Sequence, residues 1–63
     1  MPIVQIHLMA GRSDEKKRAL VKAVTEAVCS TVDAPPEKVR IILSEMAEND
    51  YAVGGVLVKD SKK

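Results

Sequence analysis

The chain has 63 residues, a formal net charge of +1, one cysteine and one histidine. This composition excludes a disulfide framework and a structural zinc site, and the near-neutral charge disfavours a nucleic-acid-binding function. No stretch approaches the roughly 18 apolar residues of a membrane span, so we expect a cytoplasmic protein with one domain over residues 1–63, and self-association to stabilise so small a domain.

The first predicted element is a β-strand over residues 3–9, because apolar and polar residues alternate there with period two. The alternation assigns Val4, Ile6 and Leu8 to one face and Gln5, His7 and Met9 to the other. Gly11 then interrupts the pattern. We therefore expect a strand with one face against the rest of the domain and a turn immediately after it.

A helix is predicted over residues 14–32. Ser13 is suited to cap it, and Asp14 and Glu15 place negative charge where the helix dipole favours it. The residues expected to pack on a sheet are Leu20, Val24, Ala27, Val28 and Thr31. Those expected on the other faces are Lys16, Lys17, Lys22 and Glu26. This amphipathic pattern is typical of a helix that covers a sheet.

The remaining predicted elements are a second strand and a hairpin. Pro35 and Pro36 end the helix, residues 39–46 form the strand, and residues 51–58 form a hairpin that turns at Gly54 and Gly55. Residues 59–63 are expected to be a mobile tail. The fold class is therefore α/β (α+β), with a β-α-β protomer in which the strands are parallel and the helical crossover is right-handed.

Five segments, in this order and spacing, make the chain similar to the 4-oxalocrotonate tautomerase family: PIVQIH, GRSDEKK, DAP, VRIILSEM and YAVGG. The resemblance covers nearly the whole sequence. It implies a tautomerase/MIF-like protomer that assembles as a homohexamer, a trimer of dimers, with active sites shared between chains. It also implies a cofactor-independent isomerase, without a metal, that acts on an unsaturated 2-oxo or 2-hydroxy dicarboxylate such as 2-hydroxymuconate, typically in the breakdown of aromatic compounds.

The resemblance further implies which residues do the chemistry. Pro2, once Met1 is removed, matches the catalytic proline, and Arg12 and Arg40 match the arginines that bind the substrate and polarise it. Met9 and Tyr51 match residues that border the site. Tyr51 stands where the family has phenylalanine, and Met9 stands where it has leucine.

Several alternatives stay open from the sequence. A related hydratase or dehalogenase of small unsaturated acids is one, and a non-catalytic oligomeric scaffold, expected if Met1 is retained, is another. Among other reactive groups, His7 is expected in interface packing or a hydrogen bond, Cys29 in inert packing, and Glu45 in an ion pair across an interface.

Overall fold

The computed structural model describes residues 1–61 and has the predicted β-α-β order. Its elements are β1 (Ile3–Met9), α1 (Asp14–Val32), a 3₁₀ turn (Pro36–Lys38), β2 (Arg40–Met46), β3 (Ala52–Val53), β4 (Val56–Leu57) and α2 (Val58–Ser61). The first two strands are parallel, and the last two form an antiparallel hairpin. The prediction of parallel strands joined by a helix and followed by a hairpin is confirmed.

The parallel sheet pairs β1 and β2 along their whole length, from Ile3 opposite Arg40 to Met9 opposite Met46. Residues opposite each other share a face, so the helix side of the sheet carries alternate apolar residues of both strands. These half-buried residues are Val4, Ile6, Leu8, Ile41 and Leu43. The other face includes Ile3 and Ile42, which remain exposed. The predicted second strand began at residue 39, but Val39 caps the 3₁₀ turn instead.

Helix α1 begins as predicted and packs on a slightly different face. The Ser13 side chain accepts a hydrogen bond from the Lys16 N–H at 3.2 Å, and Asp33 ends the helix in the left-handed region with φ 57°. The half-buried residues of α1 are Lys17, Leu20, Val21, Val24, Thr25, Val28 and Cys29.

Two parts of the predicted packing face were therefore wrong. Ala27 and Thr31 were expected against the sheet but are exposed. The Thr31 hydroxyl donates to the Ala27 carbonyl oxygen at 2.7 Å, which satisfies it on the helix itself. Lys17 was expected on an outer face but is half-buried, because its stem packs with the apolar stripe while its charged end has a partner described below.

The hairpin turns at Gly54 and Gly55, which have φ values of 61° and 86°. Two successive positive φ values match the twist of a two-residue hairpin turn and favour glycine. Residues 59–61, expected in a mobile tail, instead continue in the helical turn α2. Lys59 N–H donates to the Glu48 carbonyl oxygen at 3.0 Å, and this bond holds the turn against the loop before the hairpin. Residues 62 and 63 of the predicted tail lie outside the described residues.

None of residues 1–61 is fully buried, and the protomer is elongated, measuring 44 × 24 × 14 Å. Its accessible surface of 4874 Å² exceeds the roughly 4000 Å² expected for a compact monomer of this mass. Its radius of gyration of 14.9 Å exceeds the expected value of about 11 Å. The uncovered apolar side chains include Ile3, Ile42, Tyr51, Val53, Val56 and Leu57. A single chain thus leaves a large apolar area in contact with solvent.

Candidate active site

Pro2 and Arg40 are neighbours at the end of the sheet where both parallel strands begin. The backbone N–H of Arg40 donates to the Pro2 carbonyl oxygen at 3.0 Å. Pro2 is half-buried, whereas Arg40 is exposed, and the Arg40 Nη1 donates to the Glu37 carbonyl oxygen at 2.8 Å. The backbone of the sheet therefore places the proline beside the arginine, and the guanidinium is oriented by the 3₁₀ turn.

Arg12 lies at the opposite end of the sheet, in the loop after β1. Gly11 turns the chain there with φ 121°, a value that L side chains rarely adopt. The Arg12 Nη1 then donates to the carbonyl oxygen of Met9, the last residue of β1, at 3.1 Å. Arg12 is exposed and Met9 half-buried. Within residues 1–61 the Arg12 guanidinium has no other hydrogen-bond or ion-pair partner, so its remaining N–H groups can donate to a ligand or to another chain.

The length of β1 keeps Arg12 away from Pro2 within one chain. The strand runs from Ile3 to Met9, and at about 3.3 Å per residue these two ends lie roughly 20 Å apart. A small dicarboxylate cannot bridge that distance. The structure thus brings together two of the three residues predicted for chemistry and separates the third.

Tyr51 lies in the segment that leads from β2 into the hairpin. Its carbonyl oxygen accepts from the Val58 N–H at 2.8 Å, and its side chain is 44% exposed. Because β2 finishes at the Arg12 end of the sheet, the chain enters the hairpin from that end and not from the end at Pro2. Tyr51 therefore lies at the Arg12 end of the sheet, and its side chain is accessible to another chain.

An ion pair that the sequence did not reveal joins α1 to β2 near Arg12. The Lys17 Nζ lies 2.6 Å from the Glu45 Oε2, and the two side chains are 27% and 38% exposed. We expected Glu45 to pair across an interface, but it pairs within its own chain. Two features of the sequence could have predicted this pair. Lys17 lies one helical turn before Leu20 and Val21 and so shares their face of α1. Glu45 continues the helix-facing alternation of Ile41 and Leu43.

Two surface grooves of the protomer lie away from Pro2, Arg12, Arg40 and Tyr51. The larger, of about 570 Å³, is lined by Lys22, Thr25, Glu26, Cys29, Ser30 and Pro36. The smaller, of about 270 Å³, lies along the first turns of α1 and includes Lys17. Within residues 1–61, no three His, Cys, Asp or Glu side chains are grouped to bind a metal ion, and neither helix is long and apolar enough to cross a membrane.

The chemistry available to these groups depends on the state of Pro2. Joined to Met1, its nitrogen is an amide without useful basicity, and once Met1 is removed it becomes a secondary amine. An α-amino group has an ordinary pKa of about 7.7 to 8.0, close to neutral pH. Arginine adds a planar, permanently charged group that binds a carboxylate through two parallel hydrogen bonds. Together these groups suit proton transfer on an anionic substrate.

Comparisons with known proteins show the family to which this chain is similar. Residues 2–61 match the family model described as "Tautomerase enzyme". A probable tautomerase from Lactiplantibacillus plantarum is 55% identical over 62 residues, 98% of this chain and 97% of that protein. A 2-hydroxymuconate tautomerase from Pseudomonas putida is 44% identical over the full length of both chains. A solved structure of a heterohexamer 4-oxalocrotonate tautomerase from Chloroflexus aurantiacus is 31% identical and superposes with a TM-score of 0.90, covering 98% of this chain and 100% of that one.

Proposed function

Because this chain belongs to the tautomerase family and is thus an isomerase, we propose that it converts 2-hydroxydienoates such as 2-hydroxymuconate to the conjugated 2-oxo acid. The reaction moves a proton along the conjugated system and consumes no cofactor. The observation that carries this proposal is Pro2, which becomes a free ring amine beside Arg40 when Met1 is removed. The 44% identity with the P. putida 2-hydroxymuconate tautomerase supports the choice of substrate.

In the proposed mechanism, the Pro2 nitrogen removes the proton of the 2-hydroxyl group and returns a proton to a carbon farther along the chain. The amine must be neutral to accept the first proton. In the assembled site, apolar surroundings and guanidinium groups would both disfavour the protonated amine and so keep the Pro2 nitrogen neutral. Half-burial of Pro2 in the protomer already contributes to such surroundings.

Arg12 and Arg40 are proposed to bind and polarise the substrate. A guanidinium holds a carboxylate in a fixed orientation, and one near the 2-oxygen stabilises the negative charge that develops there during the transfer. Two arginines suit a substrate with a carboxylate at each end. Met9 and Tyr51 are proposed to border the pocket, with the Tyr51 ring excluding water from the amine.

A complete site requires more than one chain, so we propose that the protein acts as a homohexamer built as a trimer of dimers. The separation of Arg12 from Pro2 supports a shared site. The exposed apolar side chains of the hairpin and of the outer sheet face support close association, because an isolated two-stranded hairpin is marginally stable in water. The heterohexamer from C. aurantiacus, with a TM-score of 0.90, supports this size of assembly.

The proposal is tested by an ultraviolet assay of 2-hydroxymuconate ketonisation, with chains shown by intact mass to begin at Pro2. Pro2→Ala should lower kcat/KM by about 10²-fold, at the lower end of general-base effects, since alanine keeps a primary amine. Arg12→Ala and Arg40→Ala should each lower it by about 10²-fold, as expected for the loss of a charged group that stabilises developing charge.

Arg18→Ala is the matched control for the two arginines. Arg18 is an exposed arginine on α1 and has no place in the proposed site, so its replacement should leave kcat/KM unchanged. Equal rates for the parent and the three site variants would refute the proposed roles.

A further inference from the structure

A closed series of covalent, hydrogen and ionic bonds, here called the circuit, passes through Arg12 and links the loop after β1 with β2 and α1. The Arg12 side chain donates to the Met9 carbonyl oxygen at 3.1 Å. The next residue, Ala10, donates its N–H to the Met46 carbonyl oxygen at 2.8 Å, and Met46 follows Glu45 in β2. Glu45 pairs with the Lys17 side chain. The circuit then returns along α1 to the loop that contains Arg12.

The circuit closes at Arg12 through the first hydrogen bond of helix α1. The Lys17 N–H donates to the Ser13 carbonyl oxygen at 3.1 Å, and Ser13 directly follows Arg12. Lys17 therefore holds the Arg12 loop with its backbone and holds β2 with its side chain. The contact of Lys17 with Glu45 is the step of the circuit in which two side chains bridge α1 and β2.

This bridge is better placed to constrain geometry than a surface ion pair. Both side chains are more than half covered, so water screens their attraction less than it would at full exposure. The other ion pair in residues 1–61, Lys22 with Glu26, lies within one helix at 3.6 Å, and its side chains are 77% and 68% exposed. That pair joins no two elements of the fold and constrains no loop.

We propose that Lys17 and Glu45 are positioning residues that fix Arg12 for substrate binding. Without their ion pair, the first turn of α1 can shift relative to the end of β2, and the Arg12 guanidinium moves with it. A displacement of about 1 Å in a positioning group is enough to lower turnover substantially. The inference rests on the proposed function, because it assigns the pair a role through Arg12.

A double-mutant cycle tests whether the pair acts through Arg12. The values of kcat and KM for 2-hydroxymuconate are measured for the parent, Lys17→Met, Arg12→Ala and the double variant. Lys17→Met should lower kcat/KM on the order of tenfold in the parent and less than about twofold in the Arg12→Ala background, since coupled residues are not additive. Equal losses in both backgrounds would overturn the proposal, as would parental kcat/KM in Lys17→Met.

Further variants separate positioning from general stability. Glu45→Gln keeps the side-chain shape and should reproduce the effect, and it carries the same cycle if Lys17→Met does not fold. The charge exchange Lys17→Glu with Glu45→Lys should restore kcat/KM to within about threefold, because the attraction is regained. Lys22→Met, which breaks the helix pair, is the control and should leave kcat/KM unchanged. Failure of the charge exchange together with additive losses would indicate a purely structural contact.

The cycle also distinguishes a failure of the positioning role from a failure of the proposed function. If Arg12→Ala has parental activity, the proposed function of Arg12 is wrong and the positioning role is refuted with it. If Arg12→Ala is impaired while Lys17→Met is additive with it, only the positioning role is wrong. Thermal unfolding and sedimentation of each variant show whether a loss of activity accompanies a loss of assembly.

Discussion

The backbone N–H of Arg40 lies 3.0 Å from the carbonyl oxygen of Pro2, so a hydrogen bond at the start of the parallel sheet joins two of the residues proposed for chemistry. Arg12 follows the far end of β1, roughly 20 Å from Ile3 along the strand. Parallel pairing thus has a direct consequence for function. It places Pro2 and Arg40 at one end of the sheet, and the proposed site then requires Arg12 from a neighbouring chain.

Mixing two strongly impaired variants should therefore restore activity. When Pro2→Ala and Arg12→Ala chains are unfolded together and reassembled in equal amounts, about a quarter of the sites should combine an intact Pro2 with an intact Arg12 from another chain, if chains mix randomly in a symmetric assembly. Activity in the ultraviolet assay should recover to about that fraction of the parental value. Reassembly of each variant alone is the control, and absence of recovery in the mixture would place Pro2 and Arg12 in the same chain's site.

The rate should depend on pH through the Pro2 amine. Protonation removes the base, so kcat/KM should fall as the pH drops through the amine pKa and level off above it. If the assembled site surrounds the amine with apolar groups and arginines, the midpoint should lie below the ordinary α-amino value of about 7.7 to 8.0. His7→Asn is the control, because histidine also titrates near neutrality. A midpoint that disappears in His7→Asn would assign the titration to His7 instead.

A charge in the hairpin should disrupt the assembly. Val53 is 64% exposed in the protomer, and we expect a partner chain to cover it. Val53→Lys should therefore shift the sedimentation coefficient toward smaller species, since an unpaired buried charge costs several kcal/mol. Val32→Lys is the matched control because Val32 is 61% exposed and lies at the end of α1, where the helix dipole favours a cation. Unchanged sedimentation of Val53→Lys would show that the hairpin does not contribute to association.

Substitutions at Gly54 should depend on tolerance of positive φ. This residue has φ 61°, a left-handed value that asparagine adopts readily and that β-branched residues adopt rarely. Gly54→Val should lower the free energy of unfolding by about 1–2 kcal/mol, whereas Gly54→Asn should lower it by only a few tenths of a kcal/mol. Denaturant unfolding at a fixed protein concentration measures both. Equal destabilisation by the two would mean that the turn geometry does not control stability.

Much of the fold followed from the sequence because its signals are local. Alternation in residues 3–9 defined β1 and its two faces, and a helix-length segment between the strands indicated a parallel crossover. Adjacent glycines at positions 54 and 55 predicted the hairpin turn. The packing face of α1 was less accurate, since Ala27 and Thr31 are small enough to occupy either side and Lys17 contributes an apolar stem beneath its charge.

The candidate site was less predictable, for a physical reason. Local pattern identifies an arginine in a loop, but the partner that fixes the loop is distant in sequence: Lys17 meets Glu45 only because α1 crosses the sheet at that point. Strand direction does determine the end of the sheet at which Pro2, Arg12 and Arg40 each lie. In the proposed site, the chain that supplies Arg12 to a given Pro2 depends on the packing of whole protomers, which no pattern within one sequence encodes.

The most direct test of the account is to measure kcat/KM for 2-hydroxymuconate before and after enzymatic removal of Met1, with intact mass giving the fraction of chains that begin at Pro2. We predict that activity rises in proportion to that fraction and is absent when every chain retains Met1, because only a free ring nitrogen can accept the proton. Equal turnover by fully Met1-retaining and fully processed protein would contradict the account.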